Sequence, residues 1–107
     1  MSAKRTVAIF TGNRSEYGLL LPVIRAIGAH PGLDARLLVG GAHLEADFGA
    51  TRREIEKDGL TIHAEVAMSP GRDSLAATAR AIGTGILSMA DALEALRPDF
   101  LVVWGDR

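Results

Sequence analysis

The sequence contains no cysteine, which rules out a disulfide framework, a thiolate metal site and a cysteine nucleophile together. It also lacks a long apolar run. Behind Lys4 and Arg5 the first such stretch lasts only a handful of residues, short of the roughly 7–15 of a signal-peptide core and of a membrane span. No block of like charge occurs, and a formal net charge of −1 offers no basic field for nucleic acid. Two nucleotide signatures are missing as well. Gly12 to Gly18 is one residue too long for a Walker A loop and no Lys-Ser/Thr pair follows, while Gly83-Thr84-Gly85 lies in a helical pattern without the third glycine of G-x-G-x-x-G. The expectation is a cytoplasmic protein with no nucleic-acid partner, no membrane partner, no cofactor and no metal, since no two histidines or carboxylates sit at helical ligand spacing pointing to the edge where a ligand would bind.

What is present fits one small domain. A chain of 107 residues with 48% apolar and 23% charged residues can bury a modest core and is too short for two. Thr6 to Gly18 organises it. Val7, Ala8, Ile9 and Phe10 are continuous rather than alternating, as in a strand covered on both faces of a parallel sheet. Gly12 frees the backbone to turn, and Asn13 with Glu16 has the spacing of a helix N-cap and its reciprocal partner. Arg14 stands at the mouth of that turn, where unpaired N–H groups and the helix dipole favour an anion. It reads either as a phosphate contact or as an ordinary solvated loop residue.

Leu20, Val23, Ile24 and Ile27 form the apolar stripe of a helix starting near Glu16 to Leu19 and reaching Ala29, with Pro22 tolerated in its first turn. His30-Pro31-Gly32 ends it, and Leu33 to Val39 reads as a second strand. Ala42 to Gly49 is expected to be a loop or single turn. Thr51 with Glu54 suggests a capping box opening a short helix, Gly59 its stop, and the lone apolar Ile55 a place at the domain's edge. Leu60 to Met68 is a less buried third strand, and Ser69 to Arg72 a turn. Asp73 or Ser74 caps the longest helix, whose stripe of Leu75, Ala79, Ile82, Ile86, Met89, Leu93 and Leu96 is expected to be core. Gly83 and Gly85 are read there as points of close approach to a neighbour. Pro98 ends that helix, and Phe100 to Trp104 is a fourth strand.

Alternation of strand and helix implies an α/β fold: a parallel, Rossmann-like sheet of about four strands with flanking helices, residues 1–107 forming a single partial domain. The dinucleotide-type winding would give the order 3-2-1-4, with strands one and four adjacent where the winding reverses. Gly12-Asn13-Arg14 and Gly105-Asp106-Arg107 would then meet at one rim. Asp106 is an acid/base candidate or a carboxylate that fixes the loop by pairing with an arginine. Glu16 is the one nearby second carboxylate. His43, beyond Gly40-Gly41 on the same edge, is a ligand or proton-transfer candidate or a loop-capping residue. His30 and His63 read as a helix-end and a strand-face residue. A sheet that stops at strand four exposes an apolar edge, which makes a homo-oligomer an expectation.

Taken together, Gly12-Asn13-Arg14-Ser15-Glu16-Tyr17-Gly18-Leu19-Leu20, Gly41-Ala42-His43-Leu44 with Phe48-Gly49, Ile55 to Gly59, and Arg97-Pro98-Asp99 leading to Gly105-Asp106-Arg107 resemble the hydrolysing UDP-N-acetylglucosamine 2-epimerases. Asn13 replaces the family's usual threonine, and Tyr17 after Arg-Ser-Glu is similar to the hydrolysing branch. The resemblance implies two Rossmann-like domains in the glycosyltransferase-B arrangement, of which this chain is the first part of the N-terminal one. It implies a UDP-sugar substrate, elimination of UDP to a glycal, and hydration to N-acetylmannosamine for sialic-acid-type biosynthesis. By the same resemblance Arg14, Gly18 and Arg107 match UDP contacts, Asp106 a proton-transfer carboxylate and His43 a substrate neighbour. The 107-residue chain alone is expected to be inactive.

Overall fold

A computed structural model of the chain describes residues 4–12, 14–40, 49–66 and 74–104. Its elements in chain order are β1 (Arg5–Thr11), α1 (Arg14–Ala29), β2 (Leu33–Gly40), α2 (Gly49–Lys57), β3 (Ile62–Val66), α3 (Leu75–Leu96) and β4 (Phe100–Val102). All strand pairs are parallel and the sheet order is β3-β2-β1-β4. The expected winding is the observed one.

Successive residues of a central strand point to opposite faces, and both faces here are covered. Val7 and Ile9 with Leu37 and Val39 meet Tyr17, Leu20 and Ile24 of α1 and Ile55 of α2. Ala8 and Leu38, with Val66, meet Ala92 of α3, and Phe10, Met89, Leu93 and Leu96 pack around them. The β1-to-β2 and β3-to-β4 crossovers run in opposite directions across the sheet, so right-handed connections put α1 and α3 on opposite sides.

Local chemistry sets the boundaries. Ser74 caps α3, its Oγ accepting from the Ala77 N–H at 3.0 Å. At the other end Arg97 takes a left-handed conformation (φ 48°) and donates its N–H to the Leu93 carbonyl. Gly59, at φ 82°, ends α2: its N–H reaches the Glu56 carbonyl and that of Leu60 the Ile55 carbonyl, a Schellman pattern closed by Leu60 packing on the core. Ile55 is fully buried, a contribution of about 1.5–3 kcal/mol that anchors an otherwise polar helix. Arg52 adds ion pairs to Glu56 and to Glu65 of β3.

Several boundaries differ from expectation. α1 begins at Arg14, earlier than Glu16 to Leu19, because Glu16 bonds the Gly12 N–H at 2.8 Å and closes the turn one residue before the expected reciprocal partner, Asn13. Asn13 itself lies outside the described residues. α2 begins at Gly49, so Thr51 is inside the helix and the Thr51/Glu54 capping box is not its start. β3 and β4 are shorter than expected, and Met68 and Ser69 to Arg72 lie outside the described residues.

The stripe of α3 divides in two. Met89, Leu93 and Leu96 pack on the sheet, but Leu75 is 91% exposed and Ile82 and Ile86 are exposed too. Twenty-two residues of helix extend about 33 Å, whereas the eight residues of β2 extend about 26 Å, so the N-terminal part of α3 outreaches the sheet it covers. Gly85 is buried, but a Cβ at Gly83 would meet nothing within 4 Å, so close approach does not account for Gly83.

Candidate functional site

The β1/β4 pairing (Val7 opposite Phe100, Ala8 opposite Leu101, Ile9 opposite Val102) puts the carboxyl ends of the first and last strands side by side. β1 delivers Thr11, fully buried, then Gly12 and the start of α1. The Glu16 carboxylate on the Gly12 N–H fixes this strand-to-helix turn, so Glu16 already has a structural task there. Arg14 is the first residue of α1, at the positive end of a 16-residue helix. Gly18, one turn on, is exposed, and among the described residues nothing beyond its chain neighbours and its own helix backbone lies within 4 Å of where its Cβ would stand. The Arg14 side chain, His43, Asp106 and Arg107 lie outside the described residues.

Four contacts that fix the sheet and its helices have partners too distant in sequence, or too dependent on local geometry, for spacing to reveal. The Tyr17 hydroxyl donates to Asp58 Oδ2 at 2.5 Å across 41 residues. Burial, then the Asp58 carboxylate, raises the Tyr17 pKa well above its ordinary value, so the phenol stays a donor. Asp99 brackets Thr6: its Oδ2 accepts from the Thr6 N–H at 2.7 Å and its own N–H donates to the Thr6 carbonyl at 2.8 Å, extending the short β1/β4 ladder. Gly40 ends β2 under the ring of Phe10 and against the Val66 carbonyl. His63 is the extra residue of a bulge where β3 pairs with Leu37 and Leu38, and its Nδ1 accepts the Leu37 N–H at 3.1 Å. Burial, then the Arg36 guanidinium, lowers the His63 pKa and keeps the ring an acceptor.

A cavity of about 870 Å³ lies beside Arg97, Pro98, Asp99 and Phe100, at the amino end of β4. It flanks the open sheet edge, away from the carboxyl rim, and has no part in the candidate site.

A sequence profile described as UDP-N-acetylglucosamine 2-epimerase matches residues 25–107. The chain belongs to the UDP-N-acetylglucosamine 2-epimerase family. Among this family's curated members, it is 30% identical over 103 residues to the UDP-N,N'-diacetylbacillosamine 2-epimerase (hydrolyzing) of Legionella pneumophila, covering 96% of this chain and 27% of that protein. It is also 30% identical over 105 residues to the GDP/UDP-N,N'-diacetylbacillosamine 2-epimerase (hydrolyzing) of Campylobacter jejuni, covering 98% and 27%. The crystal structure of the Neisseria meningitidis UDP-GlcNAc 2-epimerase bound to UDP-GlcNAc superposes with a TM-score of 0.70 at 20% identity, covering 96% of this chain and 26% of that one. The chain thus spans about a quarter of the length of these relatives. Its Rossmann-like sheet with helices on both faces is the glycosyltransferase-B-type fold class expected of the family. Among the described residues no helix is long and apolar enough to cross a membrane.

Proposed function

We propose that the chain is the nucleotide-binding N-terminal part of a hydrolysing UDP-N-acetylglucosamine 2-epimerase that yields UDP and N-acetylmannosamine. The observation that supports this reading is the adjacency of the carboxyl ends of β1 and β4 in an epimerase-family sheet; in the sequence Gly12-Asn13-Arg14 and Gly105-Asp106-Arg107 follow those two strands.

In the first half-reaction the proton at sugar C2 leaves, the C1–O bond breaks, and its electron pair departs with UDP, leaving a glycal. Arg14 and Arg107 are assigned to the diphosphate, where negative charge grows as that bond breaks. Gly18, without a side chain, is assigned to close approach of the nucleotide, and His43 to the substrate's neighbourhood. In the second half-reaction water adds its hydroxyl to C1 and a proton returns to C2 from the opposite face. Asp106 is assigned to these proton transfers. No cofactor takes part. The chain alone is proposed to bind the nucleotide without turning it over, in the cytoplasm.

A second substrate is favoured by a specific observation: the two 30%-identical relatives act on diacetylbacillosamine nucleotides. Incubating a protein that carries these residues at the full length of its family with UDP-N-acetylglucosamine and, separately, UDP-N,N'-diacetylbacillosamine distinguishes the two. Release of UDP with free N-acetylmannosamine supports the first reading, and turnover of the bacillosamine nucleotide alone supports the second. Interconversion of UDP-sugars without free sugar would contradict hydrolysis, and absence of both reactions would contradict the epimerase reading.

A further inference from the structure

We propose that Tyr17 and Asp58 form a positioning strut that sets the angle of the first turns of α1, and so the approach of Arg14, for nucleotide binding; the proposal rests on the nucleotide-sugar reading above. Tyr17 follows Arg14 by three residues, within one turn of the same helix. Its ring is 2% exposed and sits in the core cluster with Val7, Ile9 and Ile24. Those contacts are non-directional and leave a helix free to rotate or slide a little over the sheet. The hydroxyl removes that freedom, because its 2.5 Å bond to a carboxylate is short, charge-assisted and angle-dependent.

The far end of the strut is itself fixed. Asp58 stands at the last turn of α2, with its own N–H on the Glu54 carbonyl at 3.0 Å and the left-handed Gly59 immediately after it. At the near end, the Glu16 contact to Gly12 ties the same turn of α1 to the tip of β1. Tyr17 therefore connects the helix that presents Arg14 to the helix that follows the His43 segment. It touches no substrate: it is a positioning residue, and its value lies in the steep dependence of binding and catalysis on sub-ångström placement.

The test is titration of the chain with uridine diphosphate, comparing wild type with Tyr17→Phe, Asp58→Ala, Asp58→Asn and the Tyr17→Phe/Asp58→Ala double variant, at a temperature where circular dichroism shows each folded. Tyr17→Phe keeps the ring and its packing. Loss of the strut is expected to weaken binding about tenfold in Tyr17→Phe and in Asp58→Ala, the scale of one hydrogen bond to a charged group. The double variant should be no weaker than either single one, and Asp58→Asn, which retains an acceptor, should recover part of the affinity. Amide hydrogen exchange at Gly18 to Leu21 should quicken in Tyr17→Phe while that of α3 stays unchanged. A folded Tyr17→Phe that melts earlier yet binds with wild-type affinity would reduce the pair to core stabilisation and overturn the strut alone. Absence of binding by the wild type would overturn the nucleotide reading and the strut with it.

Discussion

At Gly40 a Cβ would lie 2.9 Å from the Val66 carbonyl oxygen and 3.0 Å from Phe10 Cε1, whereas at Gly83 it would meet nothing within 4 Å. The same substitution should therefore act with opposite sign. Gly40→Ala forces a backbone oxygen and a packed ring apart and should cost about 1–3 kcal/mol, while Gly83→Ala should stabilise α3 by about 0.5–1 kcal/mol; denaturant unfolding of the two variants reads both. His63 gives a pH-dependent counterpart. Its folded pKa lies below the ordinary value, because burial and Arg36 oppose the charge, so the native state binds this proton less readily than the unfolded chain. Its contribution to stability is therefore complete above the unfolded value of about 6.5 and declines as pH falls through it towards the lower folded value. The Asp34 carboxylate and a hydrogen bond with the Thr61 backbone work against this shift without reversing it. The difference in unfolding free energy between wild type and His63→Gln should shrink from pH 7.5 to pH 5; a constant difference would contradict the acceptor role of Nδ1.

β4 pairs with β1 over only three residues, so the Asp99 bracket on Thr6 forms a large share of what holds it. Asp99→Ala should cost about 1 kcal/mol and, more tellingly, speed amide exchange in Phe100 to Val102 ahead of the central strands. Equal protection of those amides in wild type and variant would show that apolar contact alone fixes β4. At this scale the sequence was legible where one physical signal dominated. The unbroken Val7 to Phe10 run marked a doubly covered strand, Asp73 or Ser74 a cap that proves to be Ser74, Gly59 the stop and Ile55 the single anchor of α2. It was illegible where a pattern had two readings. Thr51 and Glu54 have capping spacing yet lie inside a helix that begins at Gly49, and the α3 stripe shows a face without showing that its first half outreaches the sheet.

Over the whole molecule, connectivity was the most legible feature: strand and helix alternation gave a parallel sheet, and of its common windings the dinucleotide type, with order 3-2-1-4, is the observed one. The site was legible only as an address, the rim between β1 and β4. The contacts that brace the surrounding fold, Tyr17 with Asp58 and Asp99 with Thr6, join residues 41 and 93 positions apart, and no local spacing encodes them. Phe100 of β4, Val103 and Trp104 just beyond it, and Leu75, Ile82 and Leu87 of α3 are exposed. Such apolar surface favours burial between copies, so sedimentation velocity should show a concentration-dependent shift to larger species; a single monomeric boundary at every concentration would contradict this.

The central claim is that the β1 and β4 rim binds the diphosphate of a nucleotide sugar. Uridine diphosphate titrated into the isotopically labelled chain, with Arg107→Ala in parallel, tests it most directly. Amide shifts concentrated after β1 and β4, with affinity weakened by about 1.5–3 kcal/mol in the variant, are the predicted result. Shifts gathered instead around Arg97 to Leu101 at the opposite edge, or an unchanged affinity for Arg107→Ala, would contradict it.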